Sequence, residues 1–332
     1  GERYDGNWYQ DQQHGKGTYY FKNNNRYEGM WYTDYQQGQG TMYYYNGDIY
    51  TGNWVQDKRE GNGTYTWKNG ATYVGQWKKD KKNGTGTLDW NDGTKYIGEW
   101  KDDMRQGDGT YHYSNGDEYT GQWDKDMQHG KGIYKFQTGD KYEGDYYMGE
   151  RTGQGIYVHQ NGDMYVGEFK NGEQDGKGTF TWSNGSVYTG DWINSQRSGK
   201  GKYVWSNGDV YEGNWKEDLP EGEGTLTLAD GTRYKGSFVK GKKICAKNDH
   251  IWLGAAALLT VMSLRYFPWD FVQRMGSWAL GLVTLIGTPA VFFGYAQILL
   301  CVWSIEKCGA VLRLTDRTAR MREGTVKKNG EK

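Results

Sequence analysis

Residues 50–72 read YTGNWVQDKREGNGTYTWKNGAT, and residues 73–95 follow the same plan as YVGQWKKDKKNGTGTLDWNDGTK. Tyr50, Gly52 and Trp54 alternate with polar residues, as do Tyr73, Gly75 and Trp77. A period of two puts these three side chains on one face of a strand. After Gly61 and Gly63 a second alternation brings Tyr65 and Trp67 to one face, with Thr64 and Thr66 on the other. Asn69-Gly70 then offers the positive φ that short β connections demand, and Tyr73 begins again. Each unit of 23 residues reads as one antiparallel hairpin.

The same tyrosine recurs eleven times without a break, from Tyr4 to Tyr234. The repeat core consists of Tyr4 with Trp8, Tyr27 with Trp31, Tyr50 with Trp54, Tyr73 with Trp77, Tyr96 with Trp100 and Tyr119 with Trp123. Tyr188 with Trp192 and Tyr211 with Trp215 continue the set. Tyr146, Phe169 and Phe238 stand where the other units carry Trp. Hairpins of one pattern add side by side, so residues 1–240 are expected to form a single-layer antiparallel sheet. About 21 strands at roughly 4.8 Å each would extend on the order of 100 Å. A glycine between Tyr and Trp leaves room for a ring to lie flat on the backbone, and Val there should jam two rungs.

Composition agrees with a ring-built array. Of 332 residues, 52 are Gly, 3 are Pro and 16% are aromatic, which excludes both a disordered chain and collagen. The balance of 41 basic against 41 acidic residues hides two unlike parts. From Lys240 onward there are 14 basic and 6 acidic residues, leaving 27 basic and 35 acidic residues before it. A repeat region with acidic excess lacks the footprint of nucleic-acid binding.

Beyond Lys240 the polarity inverts. Ser277 to Ile305 holds 29 residues without a charge, enough to cross a hydrocarbon layer of about 30 Å as a helix. Ile251 to Leu264 is a shorter uncharged run, reaching 267 if Arg265 snorkels to the interface. Trp252 and Trp303 would mark one interface, and Trp269 and Trp278 the other. The expectation is a transmembrane α-helical hairpin, 251–267 and 277–305, after a basic linker at 241–250 and before a basic tail at 306–332. Basic flanks on both sides place the repeats and the C-terminus on the cytoplasmic or equivalent side. Lys243, Lys247, Arg313, Arg317 and Arg320 are the candidates for contact with anionic lipid.

The chemistry of catalysis is missing from the pattern. Gly-x-Gly pairs such as Gly15/Gly17 are expected between two strands, where no helix N-terminus can cradle a phosphate. His14 and His129 share a repeat position and read as turn residues, and no nucleophile-base set can be assembled. Asp11, Asp34, Asp57, Asp80, Asp103 and Asp126 form a column, but rungs about 9 to 10 Å apart cannot share a cation, so turn chemistry is the reading. Cys245, Cys301 and Cys308 fit neither a disulfide framework nor a zinc site. No cofactor, metal or small-molecule substrate is expected, and the chain is read as no enzyme.

The unit Y-x-G-x-W-x(6)-G-x-G-x(5)-N/D-G-x-x-Y resembles the MORN repeat, a hairpin module used in arrays for scaffolding and docking. The resemblance covers residues 1–240 and implies protein partners along the array. Junctophilins are similar in outline, with repeats and a C-terminal anchor, though they carry a long spacer that this sequence lacks. The leading expectation is a membrane-anchored scaffold. The alternative is an accessory subunit of a large membrane complex in an energy-converting membrane, and a third reading is regulation of an attached kinase, as in plant phosphatidylinositol phosphate kinases with such repeats.

Overall fold

The computed structural model describes residues 1–244. The helices expected at 251–267 and 277–305, with Trp252, Trp269, Trp278 and Trp303, lie outside the described residues, as do Lys247, Arg313, Arg317 and Arg320. No helix among the described residues is long and apolar enough to cross a membrane.

The chain divides into two compact units, Gly1–Ser195 and Gln196 onward. The first contains seventeen strands, running from β1 (Arg3–Tyr9), β2 (Gln12–Tyr20), β3 (Arg26–Tyr32) and β4 (Tyr35–Tyr43) to β17 (Val187–Ile193). Each pairs antiparallel with the next in chain order. The second unit contains β18 (Gln196–Val204), β19 (Val210–Lys216), β20 (Leu219–Thr227), β21 (Arg233–Val239) and β22 (Lys242–Lys243), paired in the same way. β22 carries the sheet past Lys240, and the Ile244 N–H donates to the Ser237 carbonyl. The first residues of the expected linker are therefore strand.

Register explains the spacing of the unit. Tyr4 faces Tyr19 and Gly6 faces Gly17, but Trp8 faces Gln13, so Asn7 alone opposes His14, Gly15 and Lys16. Two surplus residues bulge from the second strand, and Gly15 takes a φ of 67° there. The Gly-x-Gly pairs thus do not sit between strands, as expected from sequence. They lie inside the longer strand, the first glycine at the bulge and the second under a ring. His14 and His129 are likewise strand residues beside the bulge, not turn residues.

The tight turn falls at Gln10 and Asp11, with φ of 50° and 61°, the two-residue form with both central residues left-handed. Asp34, Asp57, Asp80, Asp103 and Asp126 repeat that conformation, in line with the turn reading of the acidic column. The Asn-Gly connections close through a second pair of bonds, Tyr44 N–H to Asp48 and Gly47 N–H to Tyr44, at 2.9 and 3.0 Å.

A single layer has no second sheet to cover it, so the rings lie along their own backbone. Tyr27, Tyr50, Tyr73, Tyr96, Tyr119, Tyr142, Tyr165 and Tyr188 are each 0% exposed, and the partner tryptophans from Trp31 to Trp215 are nearly as buried. A Cβ on Gly52 would stand 2.6 Å from the Gly63 Cα and 2.8 Å from the Asn62 carbonyl oxygen, so only glycine fits. Tyr50 meets Trp54 of its own unit at 5.1 Å and Trp77 of the next at 5.3 Å, both edge to face. The polar handles are used too: Tyr50 Oη donates to the Asn53 carbonyl at 3.2 Å and Trp54 Nε1 to the Gly40 carbonyl at 3.2 Å. Trp8 is 59% exposed.

Candidate functional site

The face that carries the rings also carries a groove crossed by two kinds of side chain. At the second position after the turn aspartates stand Gln13, Gln36, Arg59, Lys82, Arg105 and Gln128, while Arg151, Gln174 and Arg197 hold the same repeat position after Gly149, Gly172 and Ser195, and Pro220 holds it after Asp218. The basic members reach over the tryptophan of the next unit. The Arg59 guanidinium lies 4.2 Å from the Trp77 ring centre, Lys82 Nζ 4.1 Å from Trp100, Arg105 4.3 Å from Trp123 and Arg197 4.8 Å from Trp215. Such stacking adds about 0.5–2 kcal/mol per contact.

The turn aspartates lace neighbouring units together beside this column. Asp34 Oδ1 accepts from the Gln13 N–H at 2.8 Å while its own N–H donates to the Gln13 carbonyl at 3.2 Å. Asp57 repeats the pair with Gln36, at 2.8 and 3.3 Å. Asp80 does so with Arg59 and also binds its guanidinium, Nε to Oδ1 at 3.3 Å and Nη2 to the Asp80 carbonyl at 2.7 Å. Arg105 holds Asp126 and Arg197 holds Asp218 in the same geometry. Burial pushes the Asp80 carboxyl up, but the Arg59 N–H, the Lys58 ammonium and the Arg59 guanidinium outweigh it and hold it below the usual range.

Sequence reasoning missed a second carboxylate row, which closes the opposite rim. Asp48 accepts from the Tyr65 hydroxyl at 2.7 Å, the Lys68 N–H at 2.9 Å and the Asn46 amide at 2.9 Å, and is 7% exposed. Asp117 and Asp140 take the corresponding hydroxyl from Tyr134 and Tyr157. The signal was present, as an aspartate two residues before the repeat tyrosine in Asn-Gly-Asp. It was hidden because Asn-Gly already explained a turn there.

On this face the first units enclose a cavity of 620 Å³, lined by Gln13, Trp31, Asp34, Gln36, Trp54 and Asp57 and also by Arg59 and Asp80. A second depression, of 610 Å³, lies around Ile133, Ile156 and Val166. His14 packs between Tyr9 and Tyr32 at 5.5 and 5.2 Å, far from any nucleophile-base arrangement. Lys243, read from sequence as a lipid contact, has its Nζ 4.2 Å over the Tyr234 ring. Among the described residues no group of three or more His, Cys, Asp or Glu side chains could hold a metal ion.

Comparison with curated proteins gives no match. Among solved structures, the TCP10 domain of Danio rerio CPAP, as its E1021V mutant, is 13% identical over 67% of this chain and 99% of its own, at a TM-score of 0.30. The CPAP G-box domain is 11% identical over 68% of this chain and 100% of its own, at 0.22. A streptogramin B lyase is 10% identical over 70% of this chain and 79% of its own, at 0.15. Scores this low carry no argument about function. The family comparison does: the MORN repeat matches ten consecutive units of 23 residues, from 4–26 and 27–49 through to 211–233. With the hairpin register, the ring-over-glycine core and ten unbroken matches in agreement, the chain belongs to the MORN repeat family.

Proposed function

We propose that the chain is a non-enzymatic scaffold, anchored in a bilayer through residues 251–305, that presents the ring face of its repeats to partner proteins. The observation that carries this reading is the groove itself, where the same aromatic, cationic and carboxylate positions recur from unit to unit. Recurrence of one surface chemistry suits an elongated partner, whereas catalysis needs unlike groups converging on one point. Membership in a family of scaffold-like repeats supports the docking role. The uncharged run from Ser277 to Ile305 supports the anchor, and the acidic excess before Lys240 directs the repeats toward proteins over anionic lipid.

Deleting residues 244–332 tests the division of labour. The remainder is expected to partition as a soluble, β-rich protein, and its retention in the membrane pellet after a carbonate wash would refute the anchor. Proximity labelling from the repeats should identify neighbouring proteins. A second reading, accessory subunit of a large membrane complex, is favoured by the linker of only about ten residues between the repeats and the first uncharged run. Migration with a large assembly at fixed stoichiometry in a gentle-detergent extract supports the subunit, and a mostly free protein counts against it.

A further inference from the structure

Comparing the units of this chain with one another exposes two positions where a side chain is missing from an otherwise repeated constellation. Three units combine a cation, the next unit's tryptophan and the next unit's turn aspartate: Arg59 with Trp77 and Asp80, Arg105 with Trp123 and Asp126, Arg197 with Trp215 and Asp218. In each the guanidinium lies on the ring and ion-pairs with the carboxylate. Two further units keep the ring and the carboxylate but place glutamine where the cation stands: Gln13 with Trp31 and Asp34, and Gln36 with Trp54 and Asp57. These six residues all line the cavity of 620 Å³, whose far side is closed by the paired Arg59 and Asp80.

The carboxylates there lack a counter-charge. Asp34 and Asp57 each accept one backbone N–H through Oδ1, and neither forms an ion pair among the described residues. Gln36 is only 4% exposed, lines the cavity, and its side-chain amide has no hydrogen-bond partner among the described residues. The amide is therefore open to a guest that enters the cavity.

We propose that this cavity is a receiving site for basic side chains of a partner protein, a pair of guanidinium groups entering where Arg59, Arg105 and Arg197 stand in their own units. Aromatic walls from Trp31 and Trp54 and the two carboxylates offer a guest the stacking and charge that those arginines find internally. Gln36 Oε1 accepts from a guanidinium N–H. The two positions are one unit apart, two strands or about 9 to 10 Å. A polyproline-II segment, at three residues per turn and about 3.1 Å each, brings residues i and i+3 to one side over that distance, so the partner motif is Arg-x-x-Arg in polyproline-II form. The proposal rests on the docking reading and names the partner chemistry for one part of the groove.

The test uses the full chain in detergent micelles and a synthetic peptide, acetyl-Arg-Gly-Gly-Arg-amide, titrated by calorimetry at low salt. Binding is expected, with loss of at least about tenfold in affinity when both arginines are replaced by citrulline, the neutral isostere. The same loss is expected in the Asp34→Asn/Asp57→Asn double variant, whose amides preserve the turn bonds through Oδ1. Gln36→Arg should fill the site from within and abolish binding while leaving the chain as stable as before or more so. No detectable binding of the arginine peptide, equal binding of the citrulline peptide, or an unaffected double variant overturns the proposal. Proteins labelled by the repeats of the wild-type chain separate this from the broader reading: if they are still labelled by the double variant, docking stands and the cation site falls.

Discussion

Gly98 tests the ring-over-glycine core directly. A methyl group added there would fall 2.5 Å from the Gly109 Cα, 2.7 Å from the Asp108 carbonyl oxygen and 2.5 Å from the Tyr96 hydroxyl. Two of the three are backbone of the paired strand, so the ladder must part locally at this rung and the ring above it must move as well. Tyr96 then loses its edge contacts with Trp100 at 5.1 Å and Trp123 at 5.5 Å, each about 0.5–1.5 kcal/mol. Its bond to the Glu99 carbonyl at 3.0 Å contributes about 1 kcal/mol more, and burial of a ring that is 0% exposed about 2 kcal/mol. Gly98→Ala should therefore cost on the order of 4 kcal/mol, the scale of emptying an aromatic core site. In a nearest-neighbour array the damage stays local. Hydrogen exchange read by mass spectrometry on the full chain should show protection lost in units 73–95, 96–118 and 119–141 and kept in distant units. Thr110→Ala, on the opposite face, is the control. A Gly98→Ala protein within about 0.5 kcal/mol of the parent, with unchanged exchange around Tyr96, would refute the reasoning.

The remaining predictions concern the two carboxylate rows, the cations and the tyrosine column. Burial raises the Asp48 carboxyl, but the Tyr65 hydroxyl, the Lys68 N–H and the Asn46 amide outweigh it and lower its pKa, and Asp117, Asp140 and Asp163 are lowered likewise. A lowered folded value gives stability that is present above the unfolded value of about 3.9 and lost as pH falls below it, so thermal melts followed by circular dichroism should drop between about pH 4 and 2. Burial pushes the Tyr142 hydroxyl up to about 12, so its contribution is complete below the unfolded value of about 10 and lost as pH rises from there. Absorbance titration at high pH should show the buried tyrosines ionising above the usual tyrosine value of about 10. Asp48→Ala strands the Tyr65 hydroxyl and the Lys68 N–H and should cost about 2 kcal/mol in denaturant unfolding, more than Asp5→Ala on an exposed strand. Arg105→Met keeps an apolar stem but removes the contact with Trp123 and the ion pair with Asp126, for an expected loss of about 1 kcal/mol.

Much of the architecture was legible because the repeat multiplies every signal. The alternation Tyr4, Gly6, Trp8 marks a strand and its ring face, and eleven copies make the pairing of neighbours the simplest reading. The Asn-Gly turns and the left-handed aspartates followed from the residue types that tolerate positive φ. The role of Gly-x-Gly was misplaced because spacing alone does not say whether two glycines sit in a turn or on a bulge. Both uses need positive φ at the first glycine, and only the register of Gly6 with Gly17 and of Trp8 with Gln13 distinguishes them. His14 was misread for the same reason.

The sequence by itself determined strand, hairpin and ring face, since these depend on residues close along the chain and on a period that backbone geometry dictates. It also determined that the charge and the hydrophobic runs divide at Lys240. The tertiary structure alone decided which groups meet across units: Asp34 with the N–H of Gln13, Arg59 with Trp77 and Asp80, Tyr65 with Asp48. Those partners are separated by 17 to 21 residues. Their meeting rests on the two-residue surplus of each bulge, which shifts the second strand so that a turn lies beside its neighbour's cation. A shift of that kind is a property of paired backbones, and it leaves no mark on either strand read alone.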